Sequence, residues 1–274
     1  VSAYPSEGGL SVSITDITDQ KEYDRKVSGL LDTSRSLMDA RTSEAVAETV
    51  IEAASEHLGF DLSLVRLYDE DEDTLVPTAA TADLPQRPVY DADEAYRDAI
   101  VEAIESGVNV LDTAINYRHQ RSERAVGSAL EAAAVDREAI LVATKGGFVP
   151  FDGDRPEEPG QYVREEYVET GLVDPDDLVR GQHCIAPDFL DDQLDRSLSN
   201  LGLDVLDLYY VHNPETQLDA HSRETVYDRL EAAFTRLESR VAAGDLRQYG
   251  VATWEAFRVP QTEDSYLSLP DVLA

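Results

Sequence analysis

Polar residues stand where several apolar, β-branched runs give out, and their types suit one kind of chemistry. Asp112 follows residues 108–111, Lys145 follows 139–144, His212 follows 205–211, and Thr253-Trp254 closes a run that begins at Tyr249. Tyr117 sits in the polar turn after Asp112. Parallel α/β sheets and barrels bring the C-terminal ends of all their strands to one face, so these distant segments should converge. A tyrosine there can protonate a carbonyl oxygen as a hydride arrives at the carbon. Free tyrosine has a pKa of ~10, so it relays protons poorly near neutrality unless a cation favours the phenolate. Lys145 would be that cation, Asp112 would hold the ammonium, and His212 would donate a hydrogen bond to the substrate oxygen. Taken singly, Asp112 could cap a turn, Tyr117 could pack, and His212 could be a satisfied core histidine. Their succession at strand ends favours a site.

Lysine usage singles out Lys145 independently. The chain has 23 basic residues and only three are lysines, Lys21, Lys26 and Lys145, so every basic position after residue 26 but one is arginine. Arginine cannot replace lysine where a compact, tunable ammonium is needed.

The elements that would position these residues follow from the sequence pattern. Residues 8–20 alternate apolar and polar and read as one strand ending in a polar turn. Residues 21–31 and 45–58 read as helices, the second stopped by Gly59, and 62–68 and 74–77 read as short strands around an acidic turn. Residues 81–88, with two prolines, form the boundary between a unit 1–88 and a unit 89–274. Beyond it helix and strand alternate. Helices are expected over 91–106, 123–133, 188–201 (capped by Asp188) and 225–243, and strands over 108–111, 139–144, 205–211 and 249–253. That rhythm predicts a parallel sheet covered by helices. Residues 148–187, rich in Asp, Glu, Pro and Gly, are an excursion over the face that holds Lys145. His183-Cys184 lies inside it, two adjacent ligand types without partners, and no metal is expected there.

Composition excludes several classes. With 56 acidic and 23 basic residues the formal net charge is -33, spread along the chain rather than packed in a tail. Such a solvated acidic surface is similar to that of halophile proteins, and it disfavours binding to nucleic-acid phosphates. No apolar run reaches the ~18 residues of a membrane span. Cys184 is the single cysteine, so there is no intramolecular disulfide, and a cytoplasmic location is expected.

The same residues carry a family resemblance. Asn109-Val-Leu-Asp-Thr-Ala-Ile-Asn-Tyr117, then Ser122-Glu123 and Val126-Gly127, resemble the aldo-keto reductase signature around its active-site Asp and Tyr. Thr144-Lys145, Leu206-Asp-Leu-Tyr-Tyr-Val-His212 and Tyr249-Gly-Val resemble the family's next three strands, the whole spanning about residues 89–269. The resemblance implies a (β/α)8 barrel, a tetrad of Asp112, Tyr117, Lys145 and His212, and reduction of a small aldehyde or ketone by NADPH or NADH. Thr253-Trp254 stands where the family has Ser-Asn holding the nicotinamide amide. Residues 89–274 number fewer than the ~250 of a full barrel, so the expected fold is a partial barrel, truncated at both ends. Its open strand edges would invite self-association. Residues 8–83 are similar to the end of a PAS domain followed by the first half of a GAF domain, as in halophile regulators of the bacterio-opsin activator type. A catalytically inactive fusion of a truncated sensor and a truncated reductase is the alternative.

Overall fold

The computed structural model describes residues 2–6, 9–13, 18–58, 60, 64–69, 72–81 and 89–273. The chain divides into two units, Val1–Ala92 and Asp93–Ala274, four residues beyond the boundary drawn from composition.

In the first unit β1 (Ser2–Ser6) and β2 (Gly9–Ser13) form an antiparallel pair, followed by α1 (Thr18–Asp39) and α2 (Ser43–Leu58). The strand expected over 8–20 therefore stops early. Residues 18–20 belong instead to the first turn of α1. Part of the resemblance to PAS and GAF domains, including Asp16-Ile17, Gly59, Leu62-Ser63 and the boundary residues 82–88, lies outside the described residues. β3 (Leu64–Asp69), β4 (Thr74–Ala80) and β5 (Tyr90–Asp91) make an antiparallel sheet in that order. β4 continues through Pro77 because the register shifts there: Pro77 opposes Arg66 and Ala79 opposes Val65, leaving Thr78 as a bulge. A residue without an N–H is tolerated where the ladder is interrupted. α2 lays Ala47 and Ile51 against Ala79 and Val65.

The second unit takes most of α3 (Ala92–Glu105), then β6 (Val110–Asp112), α4 (Arg121–Ala132), β7 (Leu141–Gly146), α5 (Pro159–Val163), α6 (Pro187–Leu201), β8 (Leu206–His212), α7 (Arg223–Ala243), β9 (Leu246–Ala252) and α8 (Leu269–Val272). The four strands are parallel and lie in sequential order, β6-β7-β8-β9. Each βα unit sets its strand beside the last without the reversal of a doubly wound sheet, which is the progression of a (β/α)8 barrel. Among the described residues β6 and β9 are the edges of this sheet.

The two-residue period of a strand sorts side chains between faces. Leu111, Val142, Tyr209 and Val211 pack with Val126 of α4, Leu190, Leu194 and Leu201 of α6, and Leu230 and Leu237 of α7 in one core. The opposite face carries Val110, Asp112, Leu141, Ala143, Lys145, Leu208 and Tyr210, which line a cleft of about 480 Å³. Val110 on that face is 55% exposed.

Element bounds shift the chemistry slightly. Val108 and Asn109 precede β6, while Asp112, Lys145 and His212 lie within their strands rather than after them. Asp188 does not cap α6: Ala186 precedes the helix, Pro187 holds the first position that its fixed φ suits, and the Asp188 carboxylate pairs instead with Arg236. The excursion 148–187 is not an open loop. It contains α5, a π turn at Arg164–Val168 and a 3-10 turn at Pro175–Asp177, gathered around Val163, Tyr167, Val173, Cys184 and Phe189. Among the described residues no helix is long and apolar enough to cross a membrane.

Candidate active site

Pairing register decides which strand-end residues meet. Asp112 opposes Ala143, Lys145 opposes Tyr210, and His212 opposes Ala252, so Asp112, Lys145 and His212 project from one face of the sheet. The Lys145 ammonium lies 2.9 Å from both carboxylate oxygens of Asp112 and donates to the Thr113 carbonyl at 2.7 Å. It stands 5.1 Å from the centre of the Tyr117 ring. That ring meets the His212 imidazole edge-on, centroids 6.0 Å apart. Three segments spanning a hundred residues thus bring a phenol, an ion pair and an imidazole to one place.

Their environments differ. Lys145 and His212 are buried, whereas Tyr117 is 40% exposed at the rim. Burial, then the Lys145 charge and His183, push the His212 pKa down to about 4. The ring is therefore neutral at neutral pH, and it adds no second cation beside the ammonium. Its Nδ1 is buried without a hydrogen-bond partner among the described residues, as are Thr113 Oγ1 and Asn116 Oδ1. Unpartnered buried polar atoms are uncommon in folded proteins.

Neighbours that the sequence did not flag hold the constellation in place. Thr144, one residue before Lys145, turns to the helix face and donates to Glu123 at 2.6 Å, and Asn200 donates to the other Glu123 oxygen at 2.9 Å. Burial raises the Glu123 pKa, with these hydrogen bonds opposing it. Gln193 accepts from the Gly147 amide at 2.7 Å and donates to the Phe148 carbonyl at 2.8 Å, tying down the turn after Lys145. Gly146 is required by space: a Cβ there would lie 2.0 Å from the Tyr209 hydroxyl. Glu123 was legible only as part of a motif, and Gln193 carried no signal among the leucines of α6.

The two residues expected at the cofactor fare differently. Thr253 lines the cleft with Asp112 and Lys145. Trp254 is 73% exposed, and its backbone N–H donates to Glu215 at 2.9 Å. Arg258 stands at the cleft margin. His183 and Cys184 diverge, the first toward His212 and Gln217, the second accepting from the Ala186 amide with its thiol pushed up to about 12 by burial. Among the described residues no three ligand types come together as a metal site.

Residues 81–268, well over half of the chain, match the Aldo/keto reductase family. The chain belongs to that family. Within it, the chain is 37% identical over 117 residues to 2,5-diketo-D-gluconic acid reductase B of Corynebacterium sp. (strain SHS752001), which covers 42% of this chain and 28% of that protein. It is 31% identical over 115 residues to the NADH-specific methylglyoxal reductase of Escherichia coli (strain K12), covering 42% and 30%. The chain thus spans less than a third of either reductase. A solved aldo-keto reductase from Bacillus halodurans, in its holo form, is 22% identical, with a TM-score of 0.43 over 60% of this chain and 43% of that one.

Proposed function

We propose that the Asp93–Ala274 unit reduces the carbonyl of a small aldehyde or ketone with a nicotinamide cofactor, NADPH or NADH. The observation that carries this is the Lys145 ammonium clamped by Asp112 beneath the edge-to-face pair of Tyr117 and His212. Tyr117 passes its phenolic proton to the substrate oxygen, and the ammonium offsets the charge left on the phenol. Asp112 keeps that ammonium in place, and Thr113 fixes its second contact. His212, neutral, donates its single N–H to the same substrate oxygen and orients it.

The cleft suits the nicotinamide end of the cofactor. Its volume falls within the usual range of ligand sites, ~300–1,000 Å³, and the Thr253 hydroxyl on its wall can hold a carboxamide while Arg258 offers positive charge at the margin. When bound, the dihydronicotinamide supplies the hydride for the carbonyl carbon. The two relatives are named for a diketo sugar acid and for methylglyoxal, both carbonyl compounds, and one is NADH-specific, so either nicotinamide is a candidate for this chain.

Titration of the full chain with NADPH, and separately with NADH, tests the reading. Molar salt screens the -33 charge during the measurement. Saturable change in nicotinamide fluorescence, followed by turnover of a simple aldehyde, is expected with at least one of them. No saturable binding of either would favour the non-catalytic fusion instead.

A further inference from the structure

His183 closes a chain of hydrogen bonds that ends on the backbone of His212. It is fully buried at the end of the excursion and bridges to Phe148. Its Nε2 lies 2.8 Å from the His212 carbonyl, and its Nδ1 lies 2.8 Å from Gln217 Nε2. Gln217 Oε1 in turn faces the Arg229 guanidinium at 2.9 Å, and Arg229 pairs with Asp177 of the excursion at 2.7 Å.

The roles in this chain follow from its two ends. A carbonyl can only accept, so His183 Nε2 must carry the proton. A guanidinium can only donate, so Gln217 must turn its oxygen to Arg229 and its NH2 to His183 Nδ1. That leaves Nδ1 bare and the ring a single neutral tautomer. A doubly protonated ring would set an N–H against the Gln217 NH2. Burial favours the neutral form as well, pushing the His183 pKa down to about 4. The Phe148 ring packs edge-on against both imidazoles, 4.7 Å from His183 and 5.1 Å from His212. Gly147 makes the approach feasible: a Cβ would stand 3.1 Å from the His212 carbonyl and 3.2 Å from His183 Nε2, at φ +136°.

We propose that His183 is a positioning residue for the site on His212: its Nε2–H holds the His212 carbonyl, so the excursion sets where the His212 ring stands against Tyr117. The proposal rests on the carbonyl-reductase reading for its kinetic consequence, but not for its geometry. A histidine that only anchored the excursion would affect stability and leave the His212 ring and the rate alone.

The test uses the full chain labelled with ¹⁵N at histidine, its five histidines assigned by single substitutions. His183 is expected as the neutral Nε2–H tautomer from about pH 8 to about pH 5; an Nδ1–H tautomer would overturn the proposal. His183→Leu removes the donor, and His183→Gln can restore an N–H near the position of Nε2. The leucine variant should lower kcat on the order of 100-fold, as small misplacements of catalytic groups do, with KM little changed. The glutamine variant should recover most of the rate. A folded His183→Leu with wild-type kcat and unmoved His212 ring signals rejects the idea. If the leucine variant does not fold, the tautomer and the glutamine variant decide. If the wild type itself lacks turnover, the carbonyl-reductase reading fails separately. His212 signals that shift in the leucine variant and return in the glutamine variant would then still support positioning, and signals unmoved in both would overturn it.

Discussion

Lys145 and Asp112 form an unequal ion pair: the ammonium is buried while the carboxylate side chain is 56% exposed. The charge that is costly to bury is the one the proposed chemistry uses. Water reaches the Asp112 carboxylate, so the pair contributes less to stability than a fully buried one would.

Lys145→Met therefore separates function from folding. It removes a buried charge and leaves Asp112 to solvent, so urea unfolding in molar salt should show stability unchanged or raised. Turnover should be lost. Asp112→Ala strands the ammonium and should lower stability by about 1–3 kcal/mol. A fully active Lys145→Met would remove this lysine from the mechanism.

Tyr117→Phe deletes one hydroxyl at a rim position that is 40% exposed. Stability should move by no more than about 0.5 kcal/mol, while kcat falls on the order of 10²–10⁴-fold, the range for general acids. Steady-state kinetics beside a denaturation curve would check both. Equal rates for the two proteins would assign the proton to another group.

The two buried imidazoles predict an acid-side loss of stability. His183 and His212 both have folded pKa values of about 4, against an ordinary 6.5, chiefly through burial. Lys145 and His183 also lower the value of His212, while the His212 carbonyl and Asp219 partly oppose the shift of His183. The unfolded chain then binds protons that the native state refuses. Stability is complete above pH 6.5 and falls as pH drops toward 4, on the order of 3 kcal/mol per histidine across that window. Glu123, whose pKa burial raises, acts with the opposite sign, so the difference between wild type and His183→Gln is the cleaner measure. The glutamine variant should be less stable at neutral pH, and its deficit should narrow between pH 6.5 and 4. A deficit independent of pH would mean that His183 is not held neutral.

Gly146→Ala places a methyl 2.0 Å from the Tyr209 hydroxyl and 2.7 Å from Gln193 Oε1 in a filled core. Overpacking of this kind costs about 1–3 kcal/mol. The end of β7 should move with it, so a fall in activity should accompany the fall in unfolding midpoint. A variant as stable as wild type would show that Tyr209 and Gln193 yield easily.

The sequence alone determined the identities of the proposed tetrad and the alternation that carries it. Apolar, β-branched runs ending on Asp112, Lys145 and His212, separated by helix-length amphipathic stretches, are local patterns that survive without knowledge of the fold. Lysine depletion marked Lys145 before any contact was known. Local pattern could not place a bound within a residue or two, because strand ends depend on neighbours: β6 exists only where β7 pairs with it, and β4 crosses Pro77 only because its pairing with β3 is interrupted by the bulge at Thr78. Likewise Asp188, a good capping residue by type, turns to Arg236 because α7 packs beside α6.

The tertiary structure decided everything that depends on partners distant in the chain. It gave the excursion 148–187 a packed interior, set Gln193 against Gly147, and left Trp254 exposed while Thr253 lined the cleft. It also gave His183, one of an adjacent His-Cys pair in the sequence, its place behind His212. Residue type and spacing report what a side chain can do. Burial, tautomer and pairing are properties of what surrounds it, and those appear only when the strands have closed on one another.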